Sequence, residues 1–205
     1  MATVKLTKNE LKVQKDRLKQ FQRYLPTLQL KKQQLQSVIT KIRVELDRLK
    51  GERSVVIGNL DDWIDVFAEN SLLPDGGKLQ ELVLVDRVEC VTENIAGVAI
   101  PAFKDLAFKD VPYDLMSYPL WVDTAVVKLR EIARIEALIK TLKTQEELLD
   151  KELRSTSQRV NLFEKVMIPQ TKENIRVIGV YLGDQQTAAV VRGKISKKKL
   201  VEAAQ

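Results

Sequence analysis

The chain has 205 residues, 44% of them apolar and only 5% aromatic, with 8 Gly, 6 Pro, one cysteine, no histidine and a net charge of +6. The absence of histidine excludes Ser/His/Asp and Cys/His nucleophilic arrangements, and a single cysteine excludes an internal disulfide. No apolar run reaches the roughly eighteen residues that a membrane span needs, and the lysine-rich first twenty residues lack the apolar block of a signal peptide, so a soluble intracellular chain is expected.

The charge is unevenly spread. Residues 1–50 carry a net +9, residues 51–120 a net −8 and residues 121–205 a net +5. A chain folded back on itself would bring its two basic ends to one pole and leave the acidic middle at the other, each facing a different partner.

Thr7, with Glu10 three residues on and Leu11 following, has the form of a capping box and predicts a helix start. From Leu11 to Phe67, steps of three and four land on an almost unbroken apolar series that includes Leu18, Phe21, Leu25, Leu28, Leu35, Ile39, Ile42, Leu46 and Leu49. Only Gln14, Lys32 and Arg53 break it. A period of 3.5 held this long is the seam of a coiled coil, because a straight helix of 3.6 residues per turn would carry the stripe off its contact face. At about 1.5 Å per residue the stretch would span roughly 85 Å, which predicts a rod. Pro26 inside it predicts a kink or a locally opened ladder, and Gly51 and Gly58 soften it. The helix is expected to run to about Asn70.

Ser71 to Gly77, rich in Pro, Asp and Gly, reads as a loop. Leu82–Val85 and Val88–Val91 predict one strand and Val98–Ile100 a second, joined by a turn at Asn94–Gly97, with Pro101 confining the second strand to an edge or ending it. Cys90, between Val88 and Val91 and lacking a histidine partner, reads as a small half-buried apolar residue. After Pro112 and Pro119 a second seam begins at Trp121 and continues through Ile132, Ile135, Ile139, Leu142, Leu149, Leu153, Val160, Phe163 and Met167. Beyond Pro169 the apolar set resumes one position out of phase at Ile175, Ile178 and Leu182, as after a four-residue stutter. Residues 192–205 form a basic tail expected to fray.

Two such seams can pair antiparallel within one chain. With Trp63 and Phe67 opposite Trp121 and Ala125, facing positions have numbers summing to about 188, an alignment that follows from seam geometry. That alignment puts Lys32 near Thr156 and Ile42 near Glu146, and brings Pro26 and Pro169 to about the same height. Glu146 can then pair with Lys41 or Arg43, while Lys32 and Lys128 are expected to snorkel their ammonium groups to solvent. The fold class is therefore mainly α: a long antiparallel two-helix coiled coil with a small β-hairpin in a middle insertion. Its expected parts are a first helix over 5–70, the insertion over 71–118, a second helix over 119–191 and the tail.

Chemistry is weakly signalled. Gly76-Gly77-Lys78 lacks the glycine spacing of a phosphate-binding loop, and Asp61, Asp62 and Asp65 offer too few oxygen donors for a cation. Neither a catalytic residue, a cofactor site nor a metal site is predicted. Lys5, Lys8, Lys12, Lys15 and Lys19 read as spread round the helix and Lys197–Lys199 lack interleaved aromatics, so a nucleic-acid contact is not expected.

Several segments carry a family likeness. QRVNLFEKVMIP, from Gln158 to Pro169, together with LTKNELKVQKDRL, LPTLQLKKQQL and ENIAGVAIPAF (Glu93 to Phe103), resembles the D subunit of V/A-type rotary ATPases. Arg159, Val160, Asn161, Glu164, Ile168 and Pro169 are the most specific part of the match. The resemblance implies a non-catalytic central-stalk shaft, cytoplasmic and peripheral to the membrane, whose paired terminal helices enter a hexameric head of A and B subunits. It implies further that the lower coiled coil and the insertion engage the small F subunit and the connector to the membrane ring, while ATP is bound by the head. Lys8, Lys12 and Lys15 would then be contacts to the catalytic head. A basic antiparallel coiled coil that grips RNA, or a scaffold, is the rival reading.

Overall fold

The computed structural model describes residues 4–61, 82–113, 118–119 and 121–203. Helix α1 spans Lys8–Asp61, strands β1 and β2 span Leu84–Ile95 and Val98–Lys109, helix α2 spans Trp121–Leu162, a π-helical turn occupies Phe163–Met167, and helix α3 spans Ile168–Ala203. The fold is mainly helical, two long helical segments flanking one antiparallel hairpin. Trp63, Phe67, Asp62, Asp65, Gly76-Gly77-Lys78 and the expected continuation of α1 to Asn70 lie outside the described residues.

Thr7 caps α1: its Oγ1 accepts from the Glu10 N–H at 3.2 Å. Glu10 does not close the box in return. Its Oε1 instead accepts from Gln14 Nε2 at 2.8 Å, so the carboxylate serves the next turn of the seam. Pro26 lies inside α1 without ending it.

Packing divides the chain into two units, one made of residues 1–32 with 155–205, the other Gln33–Arg154. In the Gln33–Arg154 unit the core is a line of buried aliphatic side chains, Leu35, Ile39, Ile42, Leu46 and Leu49 from α1 with Ile139 and Leu149 from α2 and Ile100 from β2. Ile135, Leu142 and Leu153 pack against it half-buried, and Ile132 is half-buried on the same helix. Arg43 meets Glu146 and Arg53 meets Glu136, so a ten-residue advance along α1 matches a ten-residue retreat along α2. The helices of this unit are antiparallel.

The hairpin leans on this pair through β2. Ile100 and Leu106 of β2 are buried, whereas β1 is exposed over most of its length. The turn closes at Ala96 and Gly97, both with positive φ (52° and 81°), and the Gly97 N–H donates to Asn94 Oδ1 at 2.9 Å, the geometry that matches a right-handed hairpin twist. The second strand does not stop at Pro101. It pairs there with Thr92 and continues to Lys109, because in a two-stranded ribbon each strand is an edge and tolerates a missing N–H. Cys90 is exposed and not half-buried: β1 leaves nearly all of its residues in solvent, the flanking valines included, so they bring no shelter. A second small cluster of Leu82, Val122 and Val126, with Tyr113, Tyr118 and Trp121 around it, packs at the start of α2.

The other unit pairs the first turns of α1 with the end of α2, the π turn and α3. Phe21 and Phe163 meet edge to face with centroids 5.3 Å apart. Leu18, Leu25 and Leu28 are half-buried on α1 and Val160 is buried on α2. Pro169 has no N–H to give to the Lys165 carbonyl four residues back, and the ladder widens just before it, with the Ile168 N–H donating to Phe163 O five back. A π turn holds one residue more than an α turn. It therefore moves the inward face on by one position: Met167 is half-buried, Thr171 and Ile178 are buried, and Ile175 and Leu182 are half-buried. The two prolines do not share a height. Pro26 lies five residues beyond Phe21 and Pro169 six beyond Phe163, and in antiparallel helices these offsets run in opposite directions, leaving roughly 16 Å of helix between them. The helix also continues through the basic tail to Ala203, with the side chains of residues 192–203 exposed and Lys198 3.7 Å from Glu202 one turn on.

Candidate functional site

Among the described residues no group of three or more His, Cys, Asp or Glu side chains could hold a metal ion, and no helix is long and apolar enough to cross a membrane. What the fold presents is surface. Three features stand out: a lysine-bearing flank on α1, a cross-tied level of the helix pair, and an exposed apolar strand.

Lys8, Lys12, Lys15 and Lys19 recur at steps of four, three and four, and on the continuous helix α1 that spacing places them on one flank rather than round the circumference. The spread expected from the sequence is thereby corrected. All four are exposed, about a quarter-turn from the seam of Leu11, Leu18 and Phe21. Such a row of exposed ammonium groups, running roughly 16 Å, suits an acidic surface.

In the Gln33–Arg154 unit Arg43 bridges two carboxylates of α2, donating through Nε to Glu146 at 2.6 Å and through Nη2 to Asp150 at 3.2 Å. The Glu146 hydrogen bond, ahead of the charges of both carboxylates, raises the Arg43 pKa above its ordinary value. Arg53 reaches Glu136 at 2.5 Å, while its Nε is buried without a partner among the described residues. On α1 itself Arg48 holds Glu45 at 2.6 Å and also pairs with Glu52; the Glu45 pKa is lowered, first by that hydrogen bond. Of the polar seam positions, Lys128 binds Glu131 at 2.9 Å, one turn away, and Lys32 is half-buried.

The hairpin is keyed to α2 by contacts that the heptad reading does not contain. Gln145, buried, donates from Nε2 to the Pro101 carbonyl at 2.5 Å, and the guanidinium groups of Arg130 and Arg134 lie 5.5 and 5.9 Å from the Phe108 ring. Thr141 is buried on the same side as Gln145, one turn before it. Helix α2 thus has two inward faces, one for α1 and one for the hairpin. The signal was present as Leu138, Thr141 and Gln145 beside the seam, but polar residues do not register in an apolar count. Outside, Leu84, Val85, Val88 and Val91 are exposed along β1. An open groove of about 350 Å³ runs between Val85, Val88 and Leu106 on the hairpin and Ala133, Ala137 and Ile139 on α2.

The residues of the C-terminal motif fall in the unit of residues 1–32 and 155–205. Val160 is buried in the helix pair and Ile168 half-buried, whereas Arg159, Asn161, Glu164 and Pro169 are exposed. Glu164 sits in the π turn and Pro169 directly follows it. The motif thus coincides with the break in helical period.

The family model for the D subunit of ATP synthase matches residues 10–198. The D subunit of a V-type ATP synthase from Borreliella burgdorferi is 50% identical over 202 residues, covering 98% of this chain and 97% of that protein. Those of Chlamydia abortus and Chlamydia muridarum are 35% and 33% identical, each covering 96% of this chain and 93% and 96% of their own. With likeness spanning both helical segments and the hairpin between them, the chain belongs to the family of ATP synthase D subunits.

Proposed function

We propose that this chain is the central-stalk rotor shaft of a V/A-type rotary ATPase or ATP synthase, a non-catalytic component that couples ATP turnover in a hexameric head to ion movement through a membrane ring. The observation that carries the reading is the antiparallel helix pair cross-tied at Arg43–Glu146 and Arg53–Glu136, in a chain related over nearly its full length to the D subunits of V-type ATP synthases. A torque-bearing element needs two helices that cannot slide past each other. Charge pairs at two levels add to an aliphatic seam in resisting that slip.

In this reading the basic terminal unit enters the head of A and B subunits, the lysine flank of α1 meeting acidic or carbonyl-lined surfaces. The hairpin unit engages the small F subunit and the connector to the ring. The shaft is peripheral to the membrane, on the cytoplasmic side. A two-helix shaft shows a different face to each of several identical neighbours, and coupling resides in which catalytic interface each face contacts.

The test is reconstitution of the rotor into a head lacking it. The triple variant Lys8→Glu, Lys12→Glu, Lys15→Glu is expected to weaken assembly or uncouple hydrolysis from rotation, and unchanged ATP-driven rotation sinks the head-contact assignment. Steep, salt-sensitive retention on heparin without association with an ATPase head would instead favour nucleic-acid binding by the lysine flank.

A further inference from the structure

The π turn at Phe163–Met167 sets the phase of everything after it. With the extra residue in place, the inward positions are Thr171, Ile175, Ile178 and Leu182, and Ile178 is 0% exposed. Had the helix kept α geometry, the seam running through Val160, Phe163 and Met167 would continue to Gln170, Asn174, Val177 and Tyr181. Two of those are large apolar side chains left at the surface, Val177 at 42% and Tyr181 at 40% exposure. The other two, Gln170 and Asn174, already line an open cleft of about 400 Å³ with Gln14, Arg17, Phe21, Met167 and Thr171. The same stretch therefore carries two seams one residue apart, and there is space beside the helix pair for the residues that would turn inward.

We infer that α3 exchanges between two registers, the π-turned one and an α-helical one in which the segment after Met167 is rotated by about 100° round its own axis. Pro169 biases the choice. In α geometry its ring would press on the Lys165 carbonyl, and the wider turn removes that clash. The aliphatic set Ile175, Ile178 and Leu182 adds to the bias, since the alternative seam offers two amides and only two apolar groups. The seam at this level is otherwise lightly held: beyond the Phe21–Phe163 contact it passes to Gln14 and Thr171, both buried and each bonded within its own helix rather than across the pair. The shift thus costs neither residue a hydrogen bond to the other helix. The result is a device that lets the end of the helix turn without leaving its partner, and it does not depend on the rotor reading.

Thiol labelling of the full chain tests it. In a Cys90→Ser background, Gln170→Cys is exposed and Thr171→Cys buried in the π register, so the first should react at least tenfold faster with a soluble disulfide reagent. Adding Pro169→Ala is expected to narrow that ratio several-fold or invert it, with position 170 becoming slower as position 171 becomes faster. Deleting Lys165 in the Pro169→Ala chain removes the extra residue and keeps Thr171, Ile178 and Leu182 in phase with α geometry, so the original ratio should return. Circular dichroism first establishes equal helicity in each variant. An unchanged ratio after Pro169→Ala overturns the inference. Faster labelling at both positions also overturns it, because that is local unfolding rather than a change of register.

Discussion

The Arg43 guanidinium meets the Glu146 carboxylate at 2.6 Å across the α1–α2 pair, and ten residues further on Arg53 meets Glu136 at 2.5 Å. Both pairs have numbers summing to 189, so a single register holds over at least that span. An exposed ion pair adds little by itself to stability, since solvent screens it and two long side chains must be ordered. Its value lies in excluding a slipped alignment that would set like charges together.

Glu146→Arg is accordingly expected to lower the urea midpoint slightly and Arg43→Glu to do the same. The exchange variant carrying both should recover most of the loss. Equal and fully additive losses in the double variant would show that the pair contributes nothing to the register.

The aliphatic seam should cost far more. Leu35 and Leu149 are both 0% exposed in one cluster, and truncating either to alanine removes a buried side chain and leaves a cavity. Leu35→Ala or Leu149→Ala should each destabilise by about 2–5 kcal/mol in denaturant titrations monitored by circular dichroism.

A gain is expected at Gly58. A Cβ there would meet nothing within 4 Å, and the residue lies inside α1, where glycine loses more chain entropy than alanine. Gly58→Ala should raise stability by roughly 0.4–1 kcal/mol and shift the thermal midpoint upward. Gly97→Ala should act in the opposite sense, because φ of 81° at the hairpin turn disfavours a side chain.

Alkaline pH should loosen the start of α2. The Tyr113 hydroxyl donates to Asp123 at 2.5 Å, and that bond, with burial and the Asp123 charge, raises the phenol pKa above its ordinary value of about 10. The protonated form is the one favoured in the fold. Its contribution is therefore complete below the ordinary value and is lost as pH rises through the raised one. Urea midpoints followed upward from about pH 9 should fall more steeply for the native chain than for Tyr113→Phe.

The acid side has the reverse sign. Hydrogen bonds from Arg48 and Arg176 lower the Glu45 and Glu173 pKa values, so their support is present above the ordinary carboxylate range and is lost as pH falls through the lowered values. Replacing both with Gln should flatten the stability profile of the chain between about pH 5 and pH 3. An unaltered slope would place the acid sensitivity elsewhere.

The periodicity alone specified helices that require a partner, because apolar residues at every 3.5 positions from Leu18 to Leu49, interrupted only by Lys32, leave a stripe unfavourable to expose to water. The step from Met167 to Ile175, Ile178 and Leu182 even disclosed a one-residue change of phase, although not its cause. Asn94-Ile95-Ala96-Gly97 between β-branched runs marked the hairpin turn for an equally local reason: only a few residue types accept positive φ. Long-range choices left no such trace. Which strand would lean on the helices was decided by Ile100 and Leu106 packing inward and by Gln145 reaching the Pro101 carbonyl, and with that choice Cys90 and the valines of β1 were turned to solvent. Whether Pro169 would break the helix, kink it or widen one turn depended on the partner helix beside it, since α1 supplies the apolar contact that rewards keeping α3 in line. Sequence order determines a side chain's place on its own element; burial is settled only when a second element arrives to share it.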